Sequence, residues 1–229
     1  PQILLAPNQE LIDILENGTG RNGHLMIRGV DTALFSPAHR TVDDNYLRFG
    51  FVGRLRAEKN VRMLADIEKE LLKLGKTNFK FLIVGEGNER KFLEENMKTA
   101  ELTGFLEGKQ LSEAYANMDV FLFPSDTDAF GNVVQDATAS GAPCNVTDKG
   151  GPRFIVEEGK TGFVAANLRE FVKHAVELID NPQKLSEMKS ASLEFARKRS
   201  WESVFEGLYD AYAETKEFLD SKKKLRKKK

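Results

Sequence analysis

The feature that most constrains the fold of this chain is the alternation of short apolar runs with amphipathic segments of helical period. The apolar runs are candidate strands, at residues 3–6, 25–28, 48–52, 79–84, 101–103, 120–123, 143–147 and 162–164. The clearest candidate helices occupy residues 61–74, 133–140, 168–179, 183–197 and 202–219. Such alternation is typical of a parallel sheet with crossover helices. We therefore predict an α/β fold, a doubly wound parallel sheet with a C-terminal helical extension.

Composition indicates a soluble globular protein. The 229 residues are 41% hydrophobic and 30% charged, and no apolar run approaches the roughly 20 residues that span a bilayer. No signal peptide is visible, and the chain opens on Pro1 inside a strand-like run, which suggests a fragment of a longer protein. The single cysteine, Cys144, excludes an internal disulfide and a cysteine metal cage, which suits the cytoplasm. Its apolar surroundings favour a core residue over a nucleophile.

The basic residues are concentrated at the C-terminus, in the run KKKLRKKK from Lys222 to Lys229. This run holds seven basic and no acidic residues, so without it the net charge falls from -1 to -8. An acidic body argues against a nucleic-acid partner. The tail is either a disordered solubilising end or a contact with an anionic membrane, where each cation contributes about 1 kcal/mol.

The loops that follow the strands are the places to look for a site, because doubly wound sheets bind ligands at the carboxyl ends of their strands. After the strand at 48–52 comes GRLRAEKN, with Arg54 and Lys59 beside a helix that Asn60 is predicted to cap. Helix N-termini attract anions, and two cations add charge-assisted hydrogen bonds, so this loop suits a diphosphate. The alternative is that both are solvated charges or partners of Glu58.

The loop GEGNER follows the strand at 79–84. A dinucleotide-binding fingerprint needs a third glycine where this chain has Arg90, which weakens a nicotinamide-dependent oxidoreductase hypothesis. Gly85 and Gly87 allow close approach of the backbone to a ligand. A plain strand-to-helix turn capped by Asn88 explains them equally well.

The stretch DAFGNVVQDATASG follows the strand at 120–123. Gly131 and Asn132 are predicted to form a turn and N-cap, with Asp128 ahead of the helix and Asp136 about one turn inside it. A phosphate at the helix start would leave the two carboxylates to accept hydrogen bonds from sugar or ribose hydroxyls. The alternative is a loop-capping Asp128 and a solvated Asp136. The next loop, DKGGPRF, is placed to close over the same pocket.

Taken in order, these motifs resemble a known family. The set is GVDTALFSP, VGRLRAEKN, VGEGNER, GFLEGKQLSEAYANMDVFLFPS, DAFGNVVQDATASGAP, DKGGP and EGKTGFV. It resembles the C-terminal domain of the retaining glycosyltransferases of family four, glycosyl transferases group one, across nearly the whole chain. The resemblance implies the Rossmann-like, nucleotide-sugar-binding half of a two-domain GT-B enzyme at residues 1–199. It also implies a helix at 200–219 that packs on a missing N-terminal domain, followed by a disordered basic tail at 220–229.

The resemblance also implies roles for individual residues, with Asp128 as the catalytic group. The residues implied to bind the donor diphosphate are Arg54, Lys59, Gly131, Asn132 and Val133. Asp136 is implied to bind the ribose. The residues implied to lie near the base are Leu106, Gly85 and Gly87, and those near the sugar are Phe130, Gly150 and Gly151. No metal and no cofactor are implied, because cations and a helix N-terminus take up the charge of the leaving group.

The implied reaction is transfer of a hexosyl group, with retained configuration, from a UDP- or GDP-sugar to a glycan or lipid-linked acceptor. The acceptor contacts would come from the missing domain, at a cytoplasmic membrane face, and the isolated domain is expected to be inactive. Both family glutamates are aspartates here, which favours as an alternative a binding module without transfer activity. The three histidines, His24, His39 and His174, are predicted to lie in loops or on helix surfaces.

Overall fold

The computed structural model describes the backbone of residues 4–226 and the side chains of residues 4–216, and it contains two compact units. The first comprises the described residues up to Gly29 and those from Lys198 onward; the second is Val30–Arg197. The first strand pairs within its own two-stranded sheet and not with the main sheet. The division into a nucleotide-sugar-binding domain at residues 1–199 and a helix at 200–219 that packs on another domain stays a prediction.

The first unit begins with a small parallel α/β motif. Strand β1 (Leu4–Ala6) is followed by helix α1 (Gln9–Thr19) and strand β2 (Gly23–Leu25), and the two strands pair in parallel. The Asn8 side chain caps α1 by accepting a hydrogen bond from the backbone N–H of Leu11 at 2.9 Å. The second strand was predicted at residues 25–28, but it is formed by the earlier residues Gly23–Leu25. Helix α1 was not predicted.

The second unit is built on a six-stranded parallel sheet. Its strands are β3 (Leu47–Val52), β4 (Phe79–Val84), β5 (Ala100–Gly104), β6 (Val120–Phe123), β7 (Cys144–Thr147) and β8 (Gly162–Ala165). Their order is β5-β4-β3-β6-β7-β8, and every neighbouring pair is parallel. From β3 the chain adds β4 and then β5 toward one edge of the sheet. It then returns to the other side of β3 with β6 and adds β7 and β8 toward the opposite edge. This order confirms the predicted doubly wound sheet and places its topological switch point between β3 and β6.

Helices cover both faces of this sheet. They are α2 (Arg62–Lys73), α3 (Arg90–Asn96), α4 (Gly108–Ala116), α5 (Asn132–Ala139), α6 (Leu168–Asp180) and α7 (Pro182–Arg197). Strands β6 and β7 are buried along their whole length, as expected for strands covered on both sides. Phenylalanines of the central strands, including Phe49, Phe51, Phe121 and Phe123, are fully buried, and each contributes about 1.5–3 kcal/mol through burial.

The structure tests the predictions for two single side chains of the second unit, and the outcomes differ. Cys144 is buried, its thiol lies 3.4 Å from the Thr138 hydroxyl, and burial raises its pKa to about 12, which confirms a core residue. The prediction for His174 was wrong: this residue of α6 is buried and stacks on Phe163 with ring centroids 4.3 Å apart. Burial lowers the pKa of His174, because the protonated ring would lose its water.

The chain ends in helix α8 (Trp201–Arg226), which belongs to the first unit. The Ser200 hydroxyl accepts a hydrogen bond from the N–H of Ser203 at 3.3 Å, as expected for the predicted N-cap. The helix was predicted to end at residue 219, but its backbone stays helical seven residues further. The basic run from Lys222 to Lys229 lies outside the residues whose side chains are described. Across the described part of the chain, no helix combines the length and apolarity needed to cross a membrane.

Candidate functional site

Most of the residues predicted to form a site lie in loops at the carboxyl edge of the six-stranded sheet. The loops of residues 53–60, 85–89, 105–107, 124–131 and 148–151 follow β3, β4, β5, β6 and β7 respectively. We call them the carboxyl-edge loops. Those after β3 and β6 flank the topological switch point, where doubly wound sheets open a crevice for ligands.

The central feature of this edge is an ion pair between Lys59 and Asp128. The lysine Nζ lies 2.7 and 2.8 Å from the two carboxylate oxygens. The side chains are only 13% and 21% exposed, so water screens the pair weakly. Lys59 is therefore neither a solvated charge nor a partner of Glu58. The structure joins two residues for which the sequence predicted separate roles.

Arg54, the second predicted cation of the loop after β3, behaves differently. Its side chain is 63% exposed, and its guanidinium lies 3.5 Å from the carboxylate of Glu58. An exposed contact of this length contributes little free energy. The guanidinium of Arg54 therefore lies at the carboxyl edge, exposed to solvent. A ligand that displaced Glu58 from it would lose little free energy.

Further contacts hold the loop after β6 against the loop after β3. The hydroxyl of Thr127 donates to the backbone oxygen of Glu58 at 3.3 Å, and Ser125, which is fully buried, lies 3.5 Å from the same oxygen. Glu58 belongs to the short 3-10 helix Ala57–Lys59. The segments on both sides of the switch point are therefore joined by hydrogen bonds from side-chain hydroxyls to the backbone as well as by the ion pair.

The loop after β7 contacts the same segment through its two glycines. The N–H of Gly151 donates to the backbone oxygen of Asp128 at 2.7 Å. A Cβ on Gly151 would lie 2.0 Å from the backbone oxygen of Ala129, and one on Gly150, whose φ is +68°, would lie 2.6 Å from that of Asp128. Only glycine fits at such distances. The loop DKGGPRF therefore contacts the DAFG segment, and its closing over a ligand pocket stays a prediction.

The N-terminus of α5 lies immediately beyond Asp128. Gly131, with φ +96°, is the N-cap, and exposed Asn132 is the first helical residue, so the predicted capping role of Asn132 was wrong. The structure shows no side-chain cap at this end, and Val133 is half-buried. Phe130, which precedes the N-cap, is half-buried and packs against the core.

Asp136 lies one turn inside α5 and is half-buried. It lies close enough to fully buried Tyr115 of α4 for its charge to act on the phenol: burial, and then the Asp136 carboxylate, hold the pKa of Tyr115 well above its usual range. Asp136 is therefore not a solvated helix residue. The predicted contact of Asp136 with a ribose stays a prediction.

The paired glycines after β4 serve the contact between two loops. A Cβ on Gly85 would lie 1.9 Å from the backbone oxygen of Gly53, and one on Gly87 would lie 2.2 Å from that of Leu55. The N–H of Leu55 donates to the backbone oxygen of Glu86 at 2.9 Å. Protein backbone accounts for both glycines. Their predicted proximity to a base stays a prediction.

Two other positions bear on the predicted base site and on the nicotinamide hypothesis. Leu106 is half-buried against the core, beside Phe105, whose side chain is 72% exposed. Arg90 opens α3, lies 2.8 Å from the carboxylates of both Glu86 and Glu94, and donates to the backbone oxygen of Leu102 at 3.1 Å. The position that a dinucleotide fingerprint gives to glycine thus holds a cation with structural partners. Within the described residues, no group of three His, Cys, Asp or Glu side chains is placed to hold a metal ion.

Solved structures define the class of this fold. The chain resembles HepE of Anabaena in complex with UDP, with a TM-score of 0.77 and 18% identity over 93% of this chain and 64% of that one. It also resembles the apo form of the lipopolysaccharide outer core galactosyltransferase WaaB, with a TM-score of 0.76 and 19% identity over 93% of this chain and 62% of that one. Such likenesses establish the fold alone: an α/β domain of the GT-B glycosyltransferase type.

Sequence comparison then identifies the family. Residues 47–181 match the family described as glycosyl transferases group 1, and the chain belongs to it. Among its relatives, the GDP-mannose-dependent alpha-mannosyltransferase of Corynebacterium glutamicum is 34% identical over 223 residues, covering 93% of this chain and 52% of the relative. The protein of the same name from Mycobacterium tuberculosis is 38% identical over 168 residues, covering 70% and 43%. The chain thus spans about half the length of these relatives.

Proposed function

We propose that this chain is the donor-binding half of a retaining glycosyltransferase that uses a nucleoside-diphosphate sugar. The observation that carries the proposal is the Lys59–Asp128 ion pair at the switch point, next to the N-terminus of α5. A cation, a carboxylate and helix N–H groups in adjacent segments support a donor site at this edge of the sheet. Because relatives are named for GDP-mannose, that sugar nucleotide is the first donor to test, with UDP-sugars as the alternative.

Each part of the donor has a matching group at the carboxyl edge. Arg54 and Lys59 would bind the diphosphate with the backbone at Gly131, Asn132 and Val133, because helix N-termini and cations both attract phosphate. Asp136 would accept hydrogen bonds from the ribose, and Leu106 would lie near the base with Gly85 and Gly87. Phe130, Gly150 and Gly151 would lie near the transferred sugar.

Transfer breaks the bond between the anomeric carbon and the terminal phosphate oxygen and forms a bond from that carbon to an acceptor oxygen. The acceptor proton passes to the departing diphosphate, and the sugar keeps its anomeric configuration. Lys59, Arg54 and the α5 N-terminus would take up the growing negative charge. A diphosphate competes with Asp128 for Lys59, so donor binding would release this carboxylate to face the reacting sugar. This proposal needs no metal and no cofactor.

The acceptor side belongs to a second domain in this proposal. The β1–β2 sheet has two strands of three residues, which is too little for an independent fold. In α8, the aromatic side chains of Phe205, Tyr209 and Tyr212 are exposed at helical spacing. An N-terminal domain that completes this sheet and covers these aromatics would supply the contacts to a glycan or lipid-linked acceptor. A cytoplasmic location, with membrane contact through the basic C-terminal run, is part of the same proposal.

A binding module of the same fold is the second candidate. The observation that favours it is again the ion pair, because a carboxylate held by Lys59 through both oxygens is neutralised before any donor arrives. The aspartate at 128 is also one methylene shorter than the glutamate expected from the family. Such a module would bind the nucleotide sugar and release no product.

The test is calorimetric titration of this chain with GDP, UDP and NADH. It is followed by an assay of GDP-mannose turnover by the whole polypeptide, meaning the full-length protein with its proposed N-terminal domain. We expect saturable binding of GDP or UDP, weakened about tenfold in Lys59→Met through loss of a charge-assisted hydrogen bond. Lys76→Met is the matched control, because Lys76 pairs with Asp180 away from the carboxyl-edge loops. Binding of NADH without either nucleoside diphosphate would refute both candidates. Binding without turnover would favour the module.

A further inference from the structure

A second acid in the loop after β6, Asp126, has a well-defined set of partners. The hydroxyl of Thr147 donates to its Oδ1 at 2.8 Å, and the Nζ of Lys149 lies 3.1 Å from its Oδ2. Thr147 is the last residue of β7 and is buried. The side chain of Asp126 is therefore attached to the sheet itself, two residues before Asp128. Neither Asp126 nor Thr147 was predicted as a site residue, although both flank quoted motifs.

The backbone between Asp126 and Asp128 is constrained at the same point. The N–H of Gly151 donates to the backbone oxygen of Asp128, and a Cβ on Gly150 would lie 3.4 Å from the backbone oxygen of Asp126. The carboxylate of Asp128 is held from the other side by Lys59. Asp128 is thus held directly by Gly151 and Lys59, and its loop is held by the bonds of Ser125 and Thr127 to Glu58. The bond from Thr147 to Asp126 is the one made by a side chain of strand β7.

We propose that Asp126 is a positioning residue for the transfer reaction, acting on Asp128 through its hydrogen bond with Thr147. The proposal rests on the proposed function, since it assigns Asp128 to the reacting face. Without the bond, the segment from residue 124 to 131 loses its side-chain hydrogen bond to the rigid strand β7, and the bonds to Glu58 and Gly151 that remain are to loops. A displacement of about 1 Å at a catalytic group reduces turnover by up to about a hundredfold. The groups assigned to the diphosphate on the loop after β3 would stay in place.

The experiment measures GDP release from GDP-mannose by the whole polypeptide. For Asp126→Ala and for Thr147→Val, we expect kcat to fall at least about tenfold while KM for the donor stays within about threefold. Thr147→Val removes the hydroxyl at nearly constant volume and carries the test if Asp126→Ala fails to fold. Both substitutions delete the same hydrogen bond. The kcat of the double variant should therefore be no more than about threefold below that of the less active single variant.

Three comparisons separate positioning from general stability. Asp126→Asn keeps a carbonyl acceptor for Thr147 and should retain kcat within about threefold. Lys149→Met should do the same, because its ion pair is exposed. Asp180→Ala, which removes a carboxylate paired with Lys76, is the matched control and should leave kcat unchanged.

Several outcomes would overturn the proposal: multiplicative losses in the double variant, an equal loss in Asp126→Asn and Asp126→Ala, or a change in KM alone. A wild-type protein that binds GDP but responds to none of these substitutions would refute the positioning role and leave the proposed function standing. A wild-type protein that neither binds GDP or UDP nor turns over a sugar nucleotide would refute the proposed function itself.

Discussion

Replacing Gly151 with alanine tests the contact between the loops after β6 and β7. The new Cβ would lie 2.0 Å from the backbone oxygen of Ala129, 2.4 Å from its carbonyl carbon and 2.6 Å from the Cα of Phe130. All three are backbone atoms, so no side chain can rotate to relieve the contact. Contacts to a Cβ below 3.0 Å are essentially absent from real proteins, so the two loops must separate by about 1 Å.

That separation moves the residue next to Asp128 and lengthens the hydrogen bond from the Gly151 N–H, which is 2.7 Å long. We expect overpacking to destabilise the protein by about 1–3 kcal/mol. We also expect kcat for GDP release from GDP-mannose to fall about a hundredfold, the usual effect of such a displacement at a reacting group. Affinity for GDP should fall less than kcat, because Arg54 and Lys59 lie on another loop, and among the groups assigned to the diphosphate only the backbone of Gly131 to Val133 adjoins the displaced segment.

The assay is steady-state kinetics of the whole polypeptide, with urea denaturation of the same samples. Gly18→Ala is the matched control: a Cβ there meets nothing within 4 Å, and the position is helical, so stability should rise slightly. A Gly151→Ala protein with wild-type kcat would refute the reasoning, because it would show that Asp128 tolerates a shift of its neighbour.

Three further predictions concern the fold. Gly85→Ala should destabilise the protein by more than about 2 kcal/mol in urea denaturation, because φ is +136° and the new Cβ would lie 1.9 Å from the Gly53 oxygen; a loss below about 0.5 kcal/mol would contradict the geometry. Cys144, with a pKa of about 12, should resist iodoacetamide at pH 8 until the protein is unfolded, and rapid native labelling would contradict its burial. His174 has a lowered pKa, so the unfolded state binds more protons in acid; stability should fall as pH drops below about 6.5 and should fall less in His174→Phe.

Much of the fold could be predicted because buried parallel strands are unbroken apolar runs that end at turn residues. Strands β4 and β6 have the predicted bounds, and each is followed by Gly85 or Pro124. Helix α1 was not predicted, although Leu11, Ile12, Ile14 and Leu15 recur at helical spacing. The period was therefore present in the sequence, and Asn8 before it is a typical N-cap residue.

The misassigned cap at Asn60 has a definite cause. The residue precedes an apolar helical segment, which favours an N-cap, but its φ is +51° and it ends the short 3-10 helix instead. Asparagine is suited both to caps and to the left-handed conformation, so residue type alone could not decide between them. Asn60 is the last residue of the loop after β3, and Lys59 in that loop still lies at the carboxyl edge of the sheet, as predicted.

The pairing of Lys59 with Asp128 is the part of the site that sequence could not reach. Both residues were predicted to lie near a bound donor, yet 69 positions separate them. Their contact depends on the order of β3 and β6 in the sheet and on the path of each loop. The same holds for Asp126 and Thr147, whose meeting depends on the register of β6 against β7.

The Lys59–Asp128 pair also has a consequence for folding. Its two residues come from different halves of the doubly wound sheet, so the crevice exists only after both halves have assembled. Closing a chain segment of that length is slow compared with forming any single helix. A nucleotide added during refolding would therefore bind only to molecules that have completed the sheet. Ligand capture would report the last stage of folding, after helical circular dichroism has recovered.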